Sequence, residues 1–269
     1  MTFYITQNGD TDDSYEQFRY PAGELQVRLT PAGMENLRTN PIVYITWRIA
    51  SSDDLIALLL LRDAIGGRAK AVHLALPYLP YSRADRPFRD GDCFGLNVFL
   101  SQLRGRFDSI TSVDVHSPMA TALGVINASP QRHITAAIHS FEDLAKGERI
   151  TVLYPDKGAA TRGYYTHGYT PVHCEKQRDP VTGLFSRFTV PPVSGPVLIL
   201  DDICDGGGTF LGIAKQLDRS KVTLLGLYVT HGIFSKGMQD LEAHFDRIYT
   251  TSSFLSGAAS PKLTVYNAA

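Results

Sequence analysis

Residues 197–210 run VLILDDICDGGGTF. Four apolar residues without polar alternation describe a strand covered on both faces. Two adjacent acids, Asp201 and Asp202, end that run, and Asp205, Gly206, Gly207, Gly208 and Thr209 follow. Glycines between a strand and a helix leave the backbone free to curl around an anion, with N–H groups of the turn pointing inward. Thr209 adds a hydroxyl. The carboxylates repel that same anion, so they suit sugar hydroxyls or the neighbourhood of a bound Mg²⁺. Phosphate in the glycine turn and a diol on the acids describe a ribose phosphate. A tight turn with solvated acids would explain the glycines alone, but the combined strand, DDxxD, GGG and T is a more demanding pattern.

Outward from this stretch, similar apolar runs recur: PIVYITW, AVHLALPY, SITSVDVH, ERITVLYPD and VTLLGLYVTHG. Helical spacing lies between several of them, in DDLIALLLLRDAIGG, FGLNVFLSQLRG and GTFLGIAKQLDRS. Strands alternating with helices predict an α/β fold with a mostly parallel sheet. Polar residues cluster just past the runs: Asp114 and His116, Asp156, Asp201 and Asp202, and His231. Ligands of open α/β sheets bind outside the carboxyl ends of the strands, so several strands are expected to deliver chemistry to one edge. Residues 131–148 read as a linker passing into a helix, which puts a domain boundary near residue 133, with domains 1–132 and 133–269.

Composition narrows the class. The 269 residues are 43% hydrophobic and 20% charged, with a formal net charge of −1. No global electrostatic argument favours nucleic acid or an anionic membrane. Cys93, Cys174 and Cys204 are scattered and odd in number, which suits neither a disulfide scaffold nor a zinc site and fits a reducing compartment. The first residues, MTFYITQNGDTDD, have no basic or apolar leader region, and the run LIALLLL is too short to span a bilayer. The expectation is a cytoplasmic protein.

The DDxxDGGGT pattern resembles the phosphoribosyl diphosphate (PRPP) motif shared by phosphoribosyltransferases and ribose-phosphate diphosphokinases. Further segments resemble the diphosphokinases, the PRPP synthetases, in family order: YPAGE (20–24), LPYLPYSRADR (76–86), VDVHS (113–117), YPDKGAATR (154–162) and THGIFSKG (230–237). The resemblance implies two phosphoribosyltransferase-type (type I) domains, each a mostly parallel sheet flanked by helices. The N-terminal domain would take ATP and its adenine, and the C-terminal one would carry the ribose phosphate loop. The implied reaction moves the β,γ-diphosphoryl group of ATP to the anomeric hydroxyl of ribose 5-phosphate, with Mg²⁺ as cofactor and AMP leaving.

Residue roles follow by the same resemblance. Lys176 and Arg178, in CEKQRD, match a catalytic KxR pair on a mobile loop, and two cations suit the charge that builds during transfer. Tyr20 and Arg83 resemble the pair that stacks on adenine, Glu24 would accept from its amino group, and Asp85 stands nearby. His116 and Asp156 are the implied Mg²⁺ neighbours, the histidine acting through water. Gly158, Ala159 and Thr161 occupy a second anion loop. Trp47 and Arg48 lie where the family has a diphosphate loop but do not match it, and receive no role. A homodimer or larger homo-oligomer is implied as well.

Three departures stand out. The family's D-[TS]-x-x-T loop is DGGGT here, which removes one hydroxyl and every side chain between Asp205 and Thr209. Ala84 replaces an amide in the family's RQD, and the sequence ends at LTVYNAA without the terminal helical segment of longer members. The bare loop suggests a second acceptor, a ribose whose 5-phosphate carries a further group, such as ADP-ribose, with a product feeding nicotinamide salvage. A PRPP-consuming phosphoribosyltransferase and a non-catalytic regulatory homologue are the competing classes. The second of these is expected to lose the cations and metal neighbours that this sequence keeps.

Overall fold

Residues 2–7, 13–178, 185–254 and 257–268 are described by the structure, a computed structural model. It divides into two units, Met1–Ala128 and Ser129–Ala269.

The first unit contains β1 (Thr2–Thr6), β2 (Tyr15–Arg19), β3 (Leu25–Leu29), α1 (Pro31–Thr39), β4 (Ile42–Thr46), α2 (Ser52–Ile65), β5 (Ala71–Leu76), α3 (Gly95–Leu103), β6 (Ser109–Val113), α4 (Pro118–Ala122) and β7 (Val125–Ala128). Five of its strands form a parallel sheet in the order β1-β4-β5-β6-β7, and β2 with β3 makes a separate antiparallel hairpin. Alternation sets one sheet face inward: Ile5, Val43, Ile45, Val72 and Leu74 pack with Leu58 and Leu61 of α2 and Leu96 and Leu100 of α3. Helix α2 starts on a reciprocal cap, in which Ser51 accepts from the Asp54 N–H and Asp54 accepts from the Ser51 N–H. Trp47 is fully buried beneath it, its indole N–H donating to the Asp54 carbonyl at 2.8 Å. That packing accounts for a tryptophan whose sequence context suggested no chemistry.

The second unit contains α5 (Gln131–Ala145), β8 (Thr151–Tyr154), α6 (Lys157–Ala160), β9 (Val172–His173), β10 (Glu175–Arg178), β11 (Phe185–Thr189), β12 (Pro196–Cys204), α7 (Gly208–Ala214), β13 (Leu224–Gly232), α8 (Gln239–His244), β14 (Arg247–Thr251) and β15 (Leu263–Tyr266). Its main sheet is parallel throughout, in the order β15-β14-β13-β12-β8-β9, and β10 pairs with β11 in an antiparallel ribbon. Here both faces are covered. Ile134, Ile138 and Phe141 of α5 pack on Leu198, Leu200, Tyr228 and Tyr249. Phe210 and Ile213 of α7 and Leu241 of α8 pack with Ile199, Leu227 and Val229 on the opposite side. Helix α5 comes close enough that a Cβ on Gly226 would lie 2.6 Å from the Phe141 ring, so glycine is required there. Residues 131–145 are helical from the first residue, so no separate linker precedes the helix.

Candidate active site

Strand β12 does not stop at the acids. It stays in register with β13 as far as Cys204 opposite Gly232, which carries Asp201 and Asp202 inside the sheet. Successive residues of a strand start toward opposite faces, yet the Asp201 and Asp202 carboxyls stay within side-chain hydrogen-bond reach of each other. Asp202 is 1% exposed and forms a 2.8 Å ion pair with Arg162, whose side chain is also largely buried. Asp201 turns back on the chain, one carboxyl oxygen accepting from the Asp202 N–H at 2.9 Å. Burial raises the Asp201 pKa well above the ordinary carboxyl range; the neighbouring charge of Asp202 adds to this and Arg162 opposes it.

The chain then leaves the sheet. Asp205 is exposed, and its carboxylate accepts from the Ser235 hydroxyl at 2.6 Å. Gly207 adopts a left-handed φ of 75°, which turns the backbone into the start of α7. Gly206 and Gly208 do not need glycine for their backbone angles. A Cβ on Gly208 would meet nothing within 4 Å, whereas one on Gly206 would lie 3.2 Å from the methylenes of Lys236. Beside this loop, at the end of β13, His231 is buried and its Nδ1 lies 2.7 Å from the Ser253 hydroxyl. Thr251 and Ser253 both donate to the Thr230 carbonyl, closing a buried polar cluster.

At the end of β8, Asp156 is half-buried and caps α6, its Oδ1 accepting from the Ala159 N–H at 2.9 Å. Its other carboxyl oxygen has no hydrogen-bond partner among the described residues. Thr161 spends its hydroxyl on the Gly158 carbonyl at 2.8 Å. Lys176 and Arg178 lie on β10, paired with Phe188 and Phe185 of β11, and their side chains fall outside what is described. The following segment, residues 179–184, also lies outside the described residues.

The first unit gathers its polar motifs at strand ends too. Two residues with left-handed backbone stand there: Tyr81 at φ 60° after β5 and Asp114 at φ 46° after β6. Phe234, past the end of β13 in the second unit, has φ 50°. Such conformations cost energy and persist where surrounding contacts enforce them. Asp85 accepts from the Ser117 hydroxyl at 2.6 Å and lies 3.4 Å from Arg86, so it braces the 76–86 segment against the 113–117 segment. Ala84 sits against Gly95, where a Cβ would lie 3.2 Å from it; the small residue matches a close approach of α3. Arg83 and His116 are exposed. Tyr20 is 49% exposed and edges onto Phe18, in the turn joining β2 and β3. Its N–H donates to the Glu24 carbonyl at 2.9 Å, which fixes Glu24 beside it on an exposed surface.

His116 belongs to the first unit and Asp156 to the second. Among the described residues, no group of three or more His, Cys, Asp or Glu side chains is arranged to hold a metal ion. Mg²⁺ commonly takes one or two carboxylates together with substrate phosphates and water, so the half-free Asp156 carboxylate fits that mode.

Sequence reasoning missed Arg162, Ser117, Ser235 and Lys236 as members of these clusters. Each is a polar residue whose partner lies far along the chain or in another loop, and no local pattern marks that pairing. Among the described residues, no helix is long and apolar enough to cross a membrane.

Parallel sheets flanked by helices, with a glycine loop after the third strand of the second unit's main series, define a two-unit α/β protein of the type I phosphoribosyltransferase fold. The crystal structure of phosphoribosylpyrophosphate synthetase from Mycobacterium smegmatis superposes with a TM-score of 0.79, at 20% identity, over 99% of this chain and 94% of that one. No protein-family model matches the sequence. Curated relatives do: a ribose-phosphate pyrophosphokinase from Pyrococcus abyssi is 30% identical over 81% of this chain and 76% of its own length. One from Thermococcus kodakarensis is 30% identical over 81% and 78%. The chain belongs to the ribose-phosphate pyrophosphokinase family, and is a diphosphotransferase.

Proposed function

We propose that this enzyme transfers the β,γ-diphosphoryl group of ATP, as one unit, to the anomeric hydroxyl of ribose 5-phosphate, giving PRPP and AMP. The observation that carries this reading is the passage of β12 through Asp201 and Asp202 into the bare 205–209 loop, in a chain of this family. In this account the loop amides and Thr209 take the 5-phosphate. Asp201 and Asp205 take the ribose hydroxyls, while Asp202, tied to Arg162, holds the strand end in place. Lys176 and Arg178 neutralise charge on the transferring group. Tyr20, Arg83 and Glu24 bind adenine, with Asp85 bracing the segment that carries Arg83. Asp156 in the second unit and His116 in the first are each candidate Mg²⁺ neighbours, and the ion when bound would neutralise phosphoryl oxygens. The first unit is then the nucleotide side and the second the acceptor side. The enzyme works in the cytoplasm as a homodimer or a larger homo-oligomer.

One observation favours a second acceptor. The loop presents no side chain from Gly206 to Gly208, and the space at Gly208 is open. A ribose whose 5-phosphate is esterified, as in ADP-ribose, meets less obstruction there than beside a threonine-rich loop. The test offers ATP and Mg²⁺ with either ribose 5-phosphate or ADP-ribose and follows AMP and product mass. AMP with ribose 5-phosphate supports the first reading, and AMP with ADP-ribose alone supports the second. AMP with neither, together with diphosphate release from PRPP in the presence of a base, would make the protein a phosphoribosyltransferase.

A further inference from the structure

The lost hydroxyl of the glycine loop has a neighbour that takes its place in space. Residues 233–236 are strapped across the loop. The N–H groups of Ile233 and Phe234 donate to the Cys204 carbonyl at 2.9 and 3.2 Å, and the Ser235 N–H donates to the Asp205 carbonyl at 3.1 Å. The Ser235 hydroxyl reaches the Asp205 carboxylate at 2.6 Å. Gly232, at the root of this strap, has no room for a side chain, since a Cβ would lie 2.3 Å from the Phe234 ring. The backbone of Lys236 is thereby fixed relative to the loop.

Its side chain lies over Gly206. A Cβ built on Gly206 would stand 3.2 Å from both Cδ and Cε of Lys236 and 3.4 Å from Cγ. The stem therefore covers the position that a threonine side chain would fill. Lysine packs its methylenes on such surfaces while its ammonium stays in water. The ammonium, bonded to Cε, lies beside the loop and makes no ion pair or hydrogen bond among the described residues. Gly206 has an ordinary backbone angle, so conformation alone does not demand glycine there. A Cβ there would press on the overlying stem, which would have to shift by a few tenths of an ångström.

We propose that Lys236 is the cation of this loop, binding the phosphoryl group on C5 of the acceptor ribose, and that Gly206 is glycine because the lysine stem needs its place. This assignment rests on the acceptor site proposed above. A mobile ammonium replaces a fixed hydroxyl, so binding there gains charge and loses directional selectivity. The same cation serves a monoester, as in ribose 5-phosphate, or an esterified phosphate, as in ADP-ribose.

The test compares wild type with K236M, K236A, G206A and G206A/K236A, using each acceptor in turn and measuring KM for acceptor and for ATP separately. K236M should raise the acceptor KM about tenfold, the scale of one charge-assisted contact, with the ATP KM unchanged. Its acceptor KM should also depend less on salt than that of wild type. G206A should raise the acceptor KM several-fold in wild type and add nothing in the K236A background. A K236M acceptor KM equal to wild type, or a G206A effect that is the same in both backgrounds, overturns the assignment. Should wild type form AMP with neither acceptor, the proposed function fails, and calorimetric titration of wild type and K236M with ribose 5-phosphate still decides the lysine. Weaker binding by K236M upholds it; equal binding, or none by either protein, overturns it.

Discussion

Replacing Arg162 with methionine removes the counter-charge of the Asp202 carboxylate inside the second unit. The pair is 2.8 Å apart, and the side chains of Arg162 and Asp202 are only 15% and 2% exposed. At an effective dielectric near 20 the attraction at that distance is about 6 kcal/mol, much of it offset by the cost of removing both ions from water. Breaking the pair is a different quantity. Without the guanidinium the buried Asp202 carboxylate loses its counter-charge and is driven to take a proton. Holding an acid of ordinary pKa near 3.9 neutral at pH 7 costs about 4 kcal/mol, at 1.36 per unit. The penalty arises because the unfolded state ionises above pH 3.9 while the folded variant does not, so it shrinks as pH falls, to about 1.5 kcal/mol at pH 5. Urea unfolding followed by circular dichroism at both pH values measures it. The fluorescence of Trp47, buried in the first unit, reports that unit in parallel. With an m-value of about 2 kcal/mol/M, the R162M midpoint should drop by about 2 M at pH 7 and by less than 1 M at pH 5. R162M/D202N should recover most of the loss. A deficit under 1 kcal/mol at pH 7, or one independent of pH, would refute the reasoning.

Three further outcomes follow from the same geometry. D201N should be at least as stable as wild type at pH 7. The raised pKa of Asp201 means the wild type loses stability as pH climbs from the unfolded value near 4 toward the folded one, and the amide removes that slope while weakening acceptor binding; chemical denaturation from pH 4 to 8 and an acceptor KM check both parts. Thiol titration should find one fast cysteine in the native protein and three after unfolding, because Cys93 is exposed whereas burial holds the thiols of Cys174 and Cys204 near a pKa of about 12. K176A and R178A should each lower kcat by about 10² to 10³ with unchanged circular dichroism, the scale of losing one transition-state contact, and single-turnover kinetics would show the loss in the chemical step.

Much of the sheet was legible because apolar runs carry it. PIVYITW, AVHLALPY, SITSVDVH, ERITVLYPD, GPVLILDD and VTLLGLYVTHG each contain a strand of a parallel sheet. Helix α2 was equally plain in DDLIALLLLRDAIGG. The hairpin of β2 and β3 was not, because YEQFR and LQVRL mix charges with apolar residues on a small, half-exposed ribbon. The end of β12 was misplaced for a related reason. Two acids look like the end of a buried strand, yet register with β13 carries the strand on to Cys204, and Arg162 makes the buried carboxylate tolerable. That partner lies 40 residues away and leaves no local trace. The same blindness hid Lys236: the triple glycine reads as open space, and only the folded strap shows a lysine stem lying across it.

The most direct test of the proposed chemistry is ³¹P NMR of the enzyme with ATP, Mg²⁺ and ribose 5-phosphate. The account predicts AMP together with an anomeric diphosphate, formed in equal amounts as the ATP β- and γ-phosphorus signals move together to the sugar. ADP with a sugar bisphosphate, or ADP with free phosphate, would contradict transfer of the diphosphoryl group as one unit.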